Sequence, residues 1–278
     1  MHSKKNPIES FYTVNNLLDV ILSSLKQAGK DIRSLSPSDL AFIDEFHIRG
    51  HIATKELAQF IDIKSSFRVL DVGCGLGGSA RYLASAYGCH VTGLDLTMEY
   101  CQAASALSSY TGLGNNTTFI QGNALEIPFE NNYFDMVWTE HVQMNIKDKK
   151  QFYSEIIRVL KPGGKFLFHD IFQGKRNNPY LPVAWADNPS MNLLLTPNNL
   201  KYLLNSLGFL IITWKDVTEV SMLNLRKVTE SIKKANGYPP LGLHLVMGAN
   251  FEEKLENQLH NLEENHFTIL QAVLEKKG

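Results

Sequence analysis

The sequence predicts an α/β fold: a seven-stranded, mostly parallel sheet with helices on both faces, a helical N-terminal segment and a helical insertion before the last strand. Three observations predict it. In Phe67 to Ser79 (FRVLDVGCGLGGS), Val69, Leu70 and Val72 read as a buried parallel strand that runs into a glycine-rich turn and a helix beginning near Gly78. Cys89 to Asp95 (CHVTGLD) is a second apolar strand, ending in an acid about 20 residues beyond that turn. From there the chain alternates short apolar runs with spans of helix length, as βαβ units do.

Taken in order, Val14, Leu17, Leu18, Ile21, Leu22 and Leu25 follow helical spacing from Val14 to Lys26, with Gly29 placed to end the helix. Pro37 opens a second helix to Phe46, and Ile52 to Ile61 forms a third. These helices belong to no strand. Residues 1–62 are therefore expected to form a lid over the carboxyl edge of the sheet, the alternative being plain scaffold.

Thr97 is placed as the N-cap of a helix to Ser109, and Thr117 to Gln121 and Phe134 to Thr139 read as strands. Asp148 to Leu160 is a helix and Lys165 to Asp170 the fifth strand. Thr196 and Pro197 open a helix that Gly208 ends; Phe209 to Trp214 and Phe267 to Leu274 are the last two strands. Residues 217–265 are left as a mainly helical insertion, with a strand at Leu243 to Met247 as the alternative.

A chain of 278 residues at 44% hydrophobic can bury one sizeable core. Its 27 basic and 28 acidic residues, net −1, leave no electrostatic footprint for nucleic acid or an acidic membrane. Cys74, Cys89 and Cys101 have neither paired nor metal-ligand spacing, which fits a reducing compartment. The start, MHSKKNPIE, has no apolar signal core, and no run approaches the ~18 apolar residues of a membrane span. A cytoplasmic monomer or homodimer acting on a small molecule is expected.

Gly73, Gly75 and Gly77 allow positive φ and close approach of a ligand, and the helix N-terminus behind them favours negative groups. Gly73, Gly75 and Gly78 also satisfy the dinucleotide spacing G-x-G-x-x-G, so a nicotinamide-dependent oxidoreductase has to be weighed. Asp71 opposes it: a carboxylate inside the turn repels a pyrophosphate but accepts from a cationic ligand end. Asp95 can accept from both ribose hydroxyls. Adenosine with a cationic tail suits both acids.

These residues resemble the class I S-adenosylmethionine-dependent methyltransferases over nearly the whole chain from about Ile48. DVGCGLGGSARYLA looks like their first motif, GLDLT their second-strand acid, GNALEIPF their adenine loop, FDMVWTEH their fourth strand and LKPGGKF the turn before the fifth. The resemblance implies a Rossmann-like domain over residues 63–278 and S-adenosyl-L-methionine as cofactor. It implies a cofactor site of Asp71, Gly73, Cys74, Gly75, Gly77, Asp95, Leu96, Asn123, Ala124 and Glu140. Asn123 stands where similar proteins carry Asp, so the adenine amino group would meet a neutral acceptor.

Methyl transfer from a sulfonium is an in-line displacement that needs alignment and exclusion of water more than acid or base machinery. The acceptor must nonetheless arrive unprotonated. Candidates lie past the fourth and fifth strands: Glu140, His141, Gln143, Asn145, His169 and Asp170. His141 is the candidate base and, with Asn145 and Trp185, the candidate acceptor contact. Glu140, His141 and Asp170 have poor spacing for a metal, and none is expected. Trp138, Phe172, Tyr180 and Trp185, with the proline-rich segment Asn178 to Pro189, could offer ring faces to an ammonium acceptor.

Tyr12 precedes the first amphipathic helix, and His47, Arg49, Gly50 and His51 lie ahead of the third. Phosphoethanolamine methyltransferases are similar in having an early tyrosine, paired there with a histidine after the fourth strand; the matching position here is Asn145, and Tyr12 is a second catalytic candidate. IATKELA, VLDVGCGLGGSARYLA, YGCHVTGLDLT and the LKPGG turn resemble most the sarcosine/dimethylglycine methyltransferases. That resemblance implies N-methylation of a glycine-type amine. Carbon methylation of a phenolic or quinone ring, phosphoethanolamine N-methylation and a catalytically inactive cofactor-binding module are the alternatives.

Overall fold

The computed structural model describes residues 7–235, 237–248 and 250–278. Residues 1–6 of the expected lid lie outside them. Among the described residues seven strands form one sheet: β1 (Arg68–Val72), β2 (His90–Asp95), β3 (Thr117–Gln121), β4 (Phe134–Glu140), β5 (Leu160–Gln173), β6 (Phe209–Asp216) and β7 (Phe267–Lys276). Their order is β3-β2-β1-β4-β5-β7-β6. The first five are parallel, and β7 runs antiparallel to both β5 and β6. β1 lies next to β2 on one side and β4 on the other, so the chain reverses its winding there. Ligands bind at such a switch point, outside the carboxyl ends of the strands.

The sheet is covered on both faces, as its near-continuous apolar strands require. One face packs Leu70, Val137 and Phe166 against α7 (Lys149–Val159) and α8 (Pro197–Ser206); the other packs Val69, Met136 and Leu167 against α4 (His51–Ala58) and α5 (Gly78–Tyr87). β5 starts earlier than Lys165, because Leu160 already pairs with Phe134 before a shift of register. Leu243 to Met247 is not a strand: His244–Met247 is a helical turn, α10, between α9 (Thr218–Lys234) and α11 (Phe251–Glu263). Thr97 precedes α6 (Met98–Tyr110) but makes no side-chain cap; Asp95 Oδ1 instead accepts from the Thr97 N–H at 2.9 Å.

Upstream lie α1 (Pro7–Tyr12), α2 (Leu17–Gln27) and α3 (Pro37–Asp44). The apolar stripe of α2 finds α6 as its partner: Leu17, Ile21 and Leu25 pack with Tyr100, Ala103 and Leu107. The end of α3 is fastened by a buried ion pair, Asp44 to Arg81 at 2.8 Å, and Arg81 also donates to the carbonyls of Leu76 and Ala104. Removing one member of such a pair costs about 3–5 kcal/mol, because the other charge stays buried. Gly78 makes the close approach possible, since a Cβ there would stand 2.6 Å from Asp44 Cβ.

Candidate functional site

The carboxyl ends of β1, β2 and β4 open into a cavity of about 720 Å³. It is closed above by α1 and the α3–α4 segment, and at the far side by α9 to α11. Such a volume suits a cofactor with a second molecule beside it.

At the sheet end, the backbone of Gly73 (φ +72) and Gly75 (φ +51) takes the left-handed conformation that only glycine adopts freely. A Cβ on Gly75 would meet no atom within 4 Å, so the backbone is bare toward the cavity. Gly77 differs. It does not border the cavity, and a Cβ on it would lie 2.7 Å from the Phe119 ring; it is a packing glycine at the start of α5, which corrects its assignment to the cofactor.

Asp71 and Asp95 border the cavity with Cys74, Leu96, Asn123 and Ala124, as the sequence motifs place them. Asp95 Oδ2 accepts from the Gly75 N–H at 2.9 Å, which locks the acid to the turn and leaves lone pairs for hydroxyl groups. Asp71 Oδ2 is buried with no partner. Burial, then repulsion from Glu140 and Asp95, holds the Asp71 carboxyl well above the ordinary range. A cationic ligand end would relieve that stress, whereas a pyrophosphate would sit among three buried carboxyls. Asn123 Oδ1 accepts from the Leu125 N–H at 2.9 Å, shaping the loop it was expected to present to adenine.

The end of β4 carries the densest polar chemistry. Glu140 Oε2 accepts from Ser79 Oγ, from Trp138 Nε1 at 2.9 Å and from Thr54 Oγ1 at 3.2 Å, while His47 Nε2 lies 3.5 Å away. Burial pushes the Glu140 carboxyl up to about 7 despite these donors. His141 follows at φ 53, stacked on His169 with ring centroids 5.1 Å apart, and its Nε2 is buried without a partner. Burial and two neighbouring imidazoles hold His141 well below its usual value, and burial takes His169 down to about 3, so both rings are neutral near pH 7.

Asp170 turns away from this cluster and accepts from the Val142, Gln143 and Ile171 N–H groups. It holds the post-β4 loop, with burial raising its carboxyl to about 6. Lys149 Nζ ties the same loop to the carbonyls of Gln143 and Leu193.

Asn145 is brought to the cavity and to Tyr12: the phenol donates to Asn145 Oδ1 at 2.8 Å, and Asn145 Nδ2 donates to the Trp185 carbonyl at 2.8 Å. Trp185 borders the cavity, but its ring is 1% exposed, packs on Phe267 and donates from Nε1 to Asn192 Oδ1. It positions Asn145 and offers no free ring face. The other expected aromatics are elsewhere: Trp138 and Phe172 are fully buried in the cores, and the exposed Tyr180 donates to Glu264. The tertiary structure adds Tyr100 of α6, the α3–α4 residues Glu45 and Phe46, and an apolar wall of Leu225, Val246, Met247, Phe251 and Leu255. Ser79, one residue past the glycine motif, could have been found by its place; the others carry no local signal.

A glycine cradle at a switch point, an orphaned acid suited to a cation and a second acid locked to the turn would suit an adenosine ligand with a cationic tail. Residues 70–168 match the family model described as a methyltransferase domain. That match, with the relatives and structures below, supports a class I S-adenosylmethionine-dependent methyltransferase. The chain is similar to the sarcosine/dimethylglycine N-methyltransferase of Halorhodospira halochloris, 29% identical over 69% of this chain and 67% of that one. It is also 32% identical to the glycine/sarcosine/dimethylglycine N-methyltransferase of Actinopolyspora halophila, over 64% of this chain but only 32% of the relative's length. The chain thus spans about a third of that relative. Among solved structures, the Haemonchus contortus phosphoethanolamine N-methyltransferase 2 bound to phosphomonomethylethanolamine and S-adenosylhomocysteine superposes with a TM-score of 0.72 at 22% identity, over 98% of this chain and 61% of that one. That likeness concerns the fold. No described helix is long and apolar enough to cross a membrane.

Proposed function

We propose that the protein transfers a methyl group from S-adenosyl-L-methionine to a small molecule with a largely apolar body, carbon methylation of a phenolic or quinone ring being the form the cavity supports best. The observation that carries this reading is the far wall, where Leu225, Val246, Met247, Phe251 and Leu255 face the space beyond the glycine turn. Each apolar side chain covered by an acceptor contributes about 25 cal/mol per Å² of area removed from water. A small zwitterion would leave that wall wet.

In this reading Asp71 takes the ammonium end of the cofactor, Asp95 the ribose hydroxyls, and Leu96, Asn123 and Ala124 the adenine. The cofactor supplies an electrophilic methyl group. The chain's own task is to align the acceptor, exclude water and take its proton. Glu140 is better poised for the proton than His141, since a carboxyl near 7 is half ionised at neutral pH while the neutral imidazole is held at a very low proton affinity. Tyr12, through Asn145, closes the acceptor side.

A second reading, N-methylation of a glycine-type amine, is favoured by the relatives' names and by one contact. Arg49 borders the cavity with φ 74, is paired with Glu56, and has Nη1 buried without a partner, where it could meet a carboxylate. A product assay separates the two. The protein is incubated with the cofactor and, in parallel, prenylated phenols and quinols, glycine, sarcosine and dimethylglycine, and the methylated product is weighed by mass spectrometry. Methylation of the phenols on a ring carbon, located by NMR of the product, supports the first reading; methylation of the amines alone overturns it.

A further inference from the structure

Glu140 is one end of a continuous polar line along the α3–α4 wall of the cavity, which Glu45 and His51 also border. Thr54 Oγ1, on α4, lies 3.2 Å from Glu140 Oε2 and 3.1 Å from Glu45 Oε2. A hydroxyl has one proton, so at any moment it donates to one of the two carboxyls and can accept from the other. The second oxygen of Glu45 lies 2.8 Å from His51 Nδ1. The side chains of Glu140, Glu45 and Thr54 are closed off from water, but that of His51 is 32% exposed. His47 Nε2 flanks the line, 3.4 Å from Thr54 Oγ1. No step exceeds hydrogen-bond length, and only the last residue reaches solvent.

We propose that Glu140, Thr54, Glu45 and His51 form the exit path for the proton that the acceptor loses on methylation. The proposal rests on the methyl-transfer reading above. A π pair of the acceptor ring forms the new bond to the methyl carbon while the carbon–sulfur bond of the donor breaks with its pair returning to sulfur. The bond to hydrogen on that ring carbon then breaks, its pair restoring the ring and its proton passing to Glu140. The proton moves from Glu140 to Thr54 Oγ1 as the threonine proton moves to Glu45, and Glu45 delivers it to His51 and water. The line lets Glu140 release its proton while the bound product still fills the cavity beside it. Titratable groups facing the line are Asp71 from β1, Asp44 and Arg81 from the α3–α5 contact, Tyr82 from α5 against His51, and the neutral His141 and His169. Glu45 and His51 act through Glu140 and are positioning residues.

The test uses Thr54→Val, which keeps the shape of a fully buried side chain and deletes the relay atom, together with His51→Ala. In the unliganded protein, carboxyl-carbon NMR follows the titration of Glu140, and Thr54→Val should move its midpoint by about half a pH unit or more. In turnover, His51→Ala should lower kcat about tenfold with cofactor KM unchanged, and added imidazole should restore it. An unmoved Glu140 midpoint in Thr54→Val overturns the path, even if the wild type methylates nothing in the acceptor panel. With an active wild type, kcat within twofold in both variants, or no rescue by imidazole, overturns it as well. A moved midpoint with no acceptor methylated keeps the hydrogen-bonded line and counts against the methyl-transfer reading alone.

Discussion

The phenol of Tyr12 donates to Asn145 Oδ1 at 2.8 Å, joining the end of α1 to the loop after β4 across 133 residues of chain. Asn145 in turn holds the Trp185 and Met191 carbonyls, so one amide gathers three segments at the cavity. Tyr12→Phe should lower the melting temperature by only a few degrees, since a net hydrogen bond is worth about 0.5–1.5 kcal/mol, and lower kcat/KM about tenfold. Steady-state kinetics and calorimetry with S-adenosylhomocysteine check it; equal loss in cofactor affinity would place Tyr12 on the cofactor instead.

Asp95→Ala should weaken S-adenosylhomocysteine binding by at least about tenfold, as charge-assisted bonds are worth roughly 1.5–3 kcal/mol each. It should also lower the melting temperature, because the Gly75 and Thr97 N–H groups both rely on this carboxylate. Titration calorimetry and a thermal melt measure the two effects, and full affinity in the variant would remove Asp95 from the ribose.

With Glu140 raised to about 7, the rate should rise with pH through that value as the carboxylate forms, and Glu140→Gln should abolish both the limb and most of the turnover. A pH profile of kcat/KM on the wild type and the variant decides it. An unchanged acid limb in Glu140→Gln would assign the limb to another group.

The stability of the unliganded protein carries the opposite sign. Asp44 and Asp170, both raised to about 6, and Glu140 bind protons more tightly folded than unfolded. Their contribution is complete below the ordinary carboxyl range and is lost as pH rises through about 6 to 7. Denaturant melts across this range should show stability falling with pH, with a shallower fall in Glu140→Gln.

Val228 borders the cavity and is 41% exposed, so Val228→Asp should alter stability by no more than about 0.5–1 kcal/mol. It should raise KM several-fold for an apolar acceptor while cofactor affinity stays within about twofold. A glycine-type substrate would be indifferent to the change. The same kinetics on both acceptor types read it out.

If residues 1–62 act as a lid, only part of them is free to move. Leu17, Ile21 and Leu25 are nearly inaccessible against α6, and the Asp44–Arg81 pair anchors the end of α3. Cofactor-dependent protection from proteolysis should therefore be confined to α1 and the link from Thr13 to Asn16. Equal cleavage there with and without S-adenosylhomocysteine would make α1 permanent scaffold.

The sequence by itself determined the strand, glycine turn and helix around Asp71, the acid at Asp95 and the alternation that builds the parallel sheet. Each of these is a local pattern, set by periodicity, by φ and by spacing of a few residues, and such patterns survive in one dimension. Gly77 lay beyond that reading, because whether a glycine faces a ligand or a phenylalanine ring depends on where β3 packs. The same holds for the aromatic crowd after β5, where burial against Phe267 and the cores, not residue type, decides which rings meet the cavity. The family resemblance already pointed from Tyr12 to Asn145, but only the tertiary structure brought Thr54 to Glu140 over 86 residues and α9 to α11 to the far wall. Those contacts come from helices settling on the sheet edge, where packing energy is shared among many side chains and no spacing in the chain encodes the partner.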